Sequence, residues 1–159
     1  MKKFHKFLVI VTMICLLIPT AAFANEGKEK ITSIETYSLE NGDIIEIIIS
    51  ETEPVNTRSS VSVKTGSKTV NYKNAAGSVM WYVKESGTFS YTGTTSKCES
   101  DSVTAASNTS NWKIASKSSS TSGNSATGKA TGKLYYLGNV VQSVSRTVTV
   151  SCSATGVIY

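Results

Sequence analysis

Four lysines, Lys113, Lys117, Lys129 and Lys133, fall in two runs on either side of the turn-forming Ser122-Gly123-Asn124. Within each run the spacing is even, and in an extended chain an even spacing keeps side chains on one side. Four ammonium groups on one surface bind anions. Tyr135 follows Lys133 by two residues, in the same parity, and supplies a ring that can stack on a sugar. The plain alternative is that lysines on a wet strand only keep a sheet edge soluble. Glu99 and Asp101 are also two apart, which places them roughly 7 Å from one another on one face of a strand. Paired carboxylates serve glycoside hydrolysis or calcium binding, although after Pro54 only Glu85 adds to the acid supply.

The residue types that are missing exclude more. His5 is the only histidine, and it lies in a stretch read as a removable leader. Lys2, Lys3 and Lys6 form a basic start, Phe7 to Ile18 an apolar run, and Ala22-Phe23-Ala24 a small-residue cleavage site before Asn25. The apolar run is shorter than the roughly 20 residues of a membrane-spanning helix. The expectation is a secretory signal peptide over residues 1–24, cut between Ala24 and Asn25, and an extracellular product. Without histidine, the exported chain cannot build a Ser-His-Asp triad, a Cys-His dyad or a histidine metal site. No metal and no cofactor is expected. Cys15 leaves with the leader, and Cys98 and Cys152 remain. In an oxidising compartment such a pair most economically means one disulfide, worth about 4 kcal/mol on chain-entropy grounds for a loop of this length; a free reactive thiol or an intermolecular bridge is the alternative.

Charge is divided along the chain. Between Asn25 and Glu53 eight acids stand against Lys28 and Lys30, whereas from Pro54 onward Glu85, Glu99 and Asp101 stand against eleven bases. This asymmetry suggests an acidic arm on a basic domain, or an acidic pro-segment. The alternative is two solvated surfaces of opposite sign that never meet.

The elements that would position these groups read as strands. Tyr37–Glu40 and Asp43–Ile49 flank Asn41-Gly42, a hairpin signal with a type I′ turn. Glu53–Ser60 reads as a linker, giving an acidic segment at 25–58 and a main domain at 59–159. In that domain Val79, Trp81, Val83, Phe89 and Tyr91 share one parity, and Gly87 marks a bulge or bend. Val140, Val144, Val148, Val150 and Cys152 share another, with serines and threonines between them. Period-two alternation buries one face and wets the other. The predicted fold is all-β, an antiparallel β-sandwich or open barrel.

Parity also sets a hairpin register. Trp112 and Ile114, and Ala126, Ala130, Leu134 and Tyr136, are all even-numbered. Partners in a hairpin face the same way, so a three-residue loop Ser122-Gly123-Asn124 follows. It sets Trp112 opposite Leu134, Ile114 opposite Gly132, Lys113 opposite Lys133 and Lys117 opposite Lys129. Like charges so placed repel, so either the register slips by two and sets them diagonally, or an anion matches the patch.

The stretch Thr65–Trp81, the Cys98 to Cys152 span and Ser122-Gly123-Asn124 resemble small exported proteins of Gram-positive bacteria. The resemblance covers about Val61 to Tyr159 and implies an extracellular bacterial product. That group has no assigned function and transfers no catalytic residues. Taken together, the sequence suggests a secreted non-enzymatic β-sandwich module that binds an anionic wall polymer, glycan or membrane surface, or serves as a structural surface protein, with no specific nucleic-acid motif. A secreted toxin or antibacterial factor with an acidic pro-region, maturing near Ser59, is the alternative. A carboxylate-dependent hydrolase comes third.

Overall fold

Period-two alternation becomes strand over most of the chain. The computed structural model describes residues 28–56 and 60–159. The leader with Ala22, Ala24 and Asn25, and the boundary drawn at residue 58, lie outside the described residues. The strands are β1 (Lys30–Ser38), β2 (Ile44–Glu51), β3 (Val55–Asn56), β4 (Ser62–Lys73), β5 (Val79–Tyr91), β6 (Ser96–Ser107), β7 (Trp112–Ser122), β8 (Ser125–Tyr136) and β9 (Asn139–Ser151). No helix occurs among the described residues.

All pairings are antiparallel and form two sheets. The first runs β1-β2-β4-β5-β6, with β3 also on β4; the second is β7-β8-β9. They pack face to face, as in a sandwich, and the barrel does not close. β5 shows why the sequence folds this way. Trp81, Val83 and Phe89 are completely buried on the inner side, while Tyr82, Lys84 and Ser86 alternate with them. Across the sandwich Trp112, Ala126, Ala130, Val148 and Val150 supply the facing layer.

The larger core cluster centres on three rings. Trp81 and Trp112 stack with centroids 6.2 Å apart, and Tyr72 meets Trp112 edge-on at 5.4 Å. Gly132 makes room for this stack: a Cβ there would lie 2.7 Å from Cε2 of Trp81. The space beside Ile114 is therefore filled from the opposite sheet. The smaller cluster holds Phe89, Cys98, Ala126, Val150, Cys152 and Ile158.

The acidic segment is part of the first sheet. β2 pairs with β4 from Ile44↔Lys73 to Glu51↔Gly66. Its acids reach across to the basic half: Glu46 to Lys73, Glu51 to Lys64 at 3.0 Å, and Glu29, just before β1, to Lys84 at 2.8 Å. Charge asymmetry along the sequence thus becomes charge pairing across strands. The hairpin at Asn41-Gly42 exists but turns differently. Gly42 N–H donates to Leu39 C=O at 3.0 Å and Leu39 N–H to Asp43 C=O at 2.7 Å, so the loop takes three residues rather than the two of a type I′ turn. The stretch read as a linker contains β3, which pairs with Ser62 and Val63.

Two further expectations are corrected. Gly87 carries no bulge; it lies under the ring of Phe89, whose Cζ would be 2.5 Å from an added Cβ. The disulfide between Cys98 and Cys152 is not formed, and both are buried free thiols of one cluster. Each sulfur turns to a local carbonyl, Cys98 to Ser100 at 3.3 Å and Cys152 to Ser153 at 3.4 Å. Burial pushes both thiols above the usual range, with Asp101 adding to the effect at Cys98. Their backbones flank the β7–β8 turn, Cys98 N–H on Gly123 C=O and Cys152 N–H on Asn124 C=O.

Candidate anion-binding face

The outer side of the second sheet follows from its register. Trp112↔Leu134, Lys113↔Lys133 and Ile114↔Gly132 pair as their parity requires. A bulge then inserts Ala115, and the register moves by one: Lys117 faces Ala130 and Ser118 faces Lys129. The shift is matched by a two-residue loop, Gly123-Asn124, since Ser122 pairs with Ser125. A bulge reverses which side the following residues occupy. Lys117 therefore stands on the side of Ala130, at the exposed edge strand, and does not join the other three lysines. The expected Lys117–Lys129 opposition is corrected by this one residue.

Lys113, Lys129, Lys133 and Tyr135 remain together on the outer face. Along β8 that face reads Ser125, Thr127, Lys129, Thr131, Lys133, Tyr135. Before and between the β8 lysines, directly opposed hydroxyls pair across to β9: Ser125 with Ser151 at 2.8 Å, Thr127 with Thr149 at 3.0 Å, Thr131 with Ser145 at 2.9 Å. These pairs make a flat polar floor from which the ammonium groups rise. Lys113 and Lys133, directly opposed, are eased apart because the Lys113 ammonium lies 5.2 Å from the centroid of the Tyr135 ring.

What distinguishes this sheet is the absence of any counter-charge. From Trp112 to Tyr159 the sequence has no aspartate or glutamate. Among the described residues, all four salt bridges (Glu29–Lys84, Glu46–Lys73, Glu51–Lys64 and Glu99–Lys97) lie on the first sheet or the segment leading into it. Arg146 is the fifth cation of the second sheet, but it pairs with Ala130 on the inner side, with its guanidinium 5.8 Å from the Tyr72 ring centroid. It lines an open groove of about 570 Å³ together with Leu39, Asn41 and Gln142.

The carboxylate pair expected from sequence is rearranged by another bulge. Thr88 pairs with Ser100 and Phe89 with Cys98, which leaves Glu99 as the extra residue. Glu99 turns outward to accept from Ser90 at 2.6 Å and Lys97 at 2.9 Å, whereas Asp101, opposite Gly87, points inward. The partner of Asp101 is Glu85, which is 0 % exposed and has no hydrogen-bond donor on either carboxyl oxygen. Burial, followed by the charge of Asp101, pushes the Glu85 carboxyl up to about 7. The odd parity of Glu85 within Trp81, Val83 and Phe89 is the signal that would have found it. No group of three or more possible metal ligands occurs among the described residues.

No protein-family model, no curated protein and no solved structure matches this chain.

Proposed function

We propose that this chain is a secreted, non-enzymatic β-sandwich module that attaches to an anionic cell-surface ligand (a wall polymer, an acidic glycan or a membrane surface) through the outer face of its second sheet. The observation that carries the reading is the sorting of charge. Every intramolecular ion pair given above belongs to the first sheet, and the second keeps its lysines without a single carboxylate. Lys113 and Lys133, set directly opposite one another, gain most from an external anion. The hydroxyl pairs beside the lysines offer further donors to phosphate or carboxylate oxygens.

The leader supplies the route to the surface. The toxin reading has less support: its acidic pro-region would be three strands of the first sheet, and the apolar side of its inserting hairpin, Trp112, Ala126 and Ala130, is buried in the core.

The test is co-sedimentation with purified, protein-free cell wall over a salt series. Retention should fall as salt rises, and a Lys113→Gln, Lys129→Gln, Lys133→Gln variant should be retained several-fold less at low salt. Retention that ignores salt overturns the reading.

A further inference from the structure

The β8–β9 turn breaks the rule that governs the rest of the second sheet. Its two loop residues are Leu137 and Gly138, with φ of +46° and +82°. A turn with positive φ at both positions suits Asn-Gly or Gly-Gly, because a branched side chain crowds its own backbone there. Leu137 is the only non-glycine residue with positive φ among the described residues. It is 85 % exposed, so no packing in the folded chain repays the strain. Tyr136 is 67 % exposed beside it, and Val140 and Val141 follow, also exposed. A third bulge, at Val141, pairs Val140 with Tyr135 and so sets Val140 on the lysine face, away from the core its parity predicts.

We infer that this tip is a membrane anchor: Tyr136, Leu137, Val140 and Val141 enter the interfacial layer of an anionic lipid bilayer while Lys113 and Lys133 sit on its headgroups. This rests on the anion-binding reading and names the surface. The placement favours a bilayer over a folded partner, because the apolar residues are gathered at one strongly exposed turn at the end of the sheet. The charge agrees. Lys133 lies four residues before Leu137, roughly 13 Å along the strand, so shallow insertion of the tip brings the lysines to headgroup level. Tyrosines suit that boundary, with an apolar ring and a polar hydroxyl. Two of the other exposed apolar residues, Ile34 and Tyr37 on β1, have Glu35 beside them, the wrong sign for an anionic membrane.

The strain supplies an unusual test. Leu137→Asn should raise the melting temperature by a few degrees, since asparagine tolerates this backbone, yet should lose binding. Flotation with vesicles of equimolar phosphatidylglycerol and phosphatidylcholine should recover the wild-type protein, and vesicles of phosphatidylcholine alone should recover far less. Leu137→Asn should lower recovery at least five-fold, and Val140→Thr with Val141→Thr should also lower it. Recovery of Leu137→Asn equal to wild type, in a protein whose recovery still needs the three lysines, overturns the anchor and leaves the anion-binding reading standing. Wild type retained on wall polymer but not on anionic vesicles also overturns it, as does a wild-type dimer that Leu137→Asn converts to monomer. If the triple lysine variant floats like wild type, the anion-binding reading itself fails.

Discussion

Glu85 on β5 and Asp101 on β6 are diagonal neighbours on the inner side of the first sheet, since Asp101 pairs with Gly87; one is fully buried and the other has a buried oxygen that meets no donor. At pH 8 an ionised Glu85 would be a negative charge enclosed between the sheets. With the Glu85 carboxyl at about 7 against an ordinary 4.5, the folded chain holds a proton there more tightly than the unfolded chain does. The sign follows from linkage: stability falls as pH rises from about 4.5 to about 7, by about 3 kcal/mol in all, and stays lowered above that. Glu29 acts in the opposite window. Lys84, Ser50 and Ser67 hold its carboxyl down to about 2, so its contribution is lost as pH falls below about 4.5. Urea unfolding at a series of pH values should show greatest stability near pH 5. Glu85→Gln should flatten the fall above pH 5 and be the more stable protein at pH 8. A wild-type stability that does not change between pH 5 and 8 would contradict this.

Two glycines of β8 allow the sheets to close. A Cβ at Gly128 would sit 2.3 Å from Oε2 of Glu85, and one at Gly132 2.7 Å from the Trp81 ring. Neither neighbour can move freely, since both are fully buried. Gly128→Ala and Gly132→Ala should each cost about 1–3 kcal/mol by overpacking, read as a lower urea midpoint with an unchanged slope. Unaltered midpoints would mean that the sheets are farther apart than described.

Cleavage near Ser59 would remove β1, β2 and β3. That exposes the hydrogen-bonding edge of β4, uncovers Val70 and Tyr72, and strips Lys64 and Lys73 of Glu51 and Glu46. A chain that begins at Ser59 should aggregate or unfold at temperatures the full chain tolerates, by light scattering and circular dichroism. A soluble, equally stable product would revive the pro-region.

The sequence disclosed strands, their inner faces and part of one register, because alternation of valine and tryptophan with serine and lysine is a local signal. Trp112↔Leu134 and Lys113↔Lys133 were legible for that reason. Bulges were not. Ala115, Glu99 and Val141 each add one residue to one strand without changing its composition, and each redirects a side chain whose facing was read from parity: Lys117, the Glu99–Asp101 pair, and Val140. The pairing of Glu46 with Lys73 and Glu51 with Lys64 was hidden for another cause. It depends on which strands become neighbours, and charge counts along the chain do not record that.

The bulge at Ala115 also provides the sharpest control on the anion-binding face. Lys117 and Lys129 carry the same charge on the same hairpin but stand on opposite sides of the sheet. Retention on purified cell wall, measured against salt for Lys129→Gln and Lys117→Gln, compares them directly. Lys129→Gln should weaken retention and flatten its dependence on salt, and Lys117→Gln should leave both near wild type; equal losses in the two variants would contradict a binding face on the outer side of the second sheet.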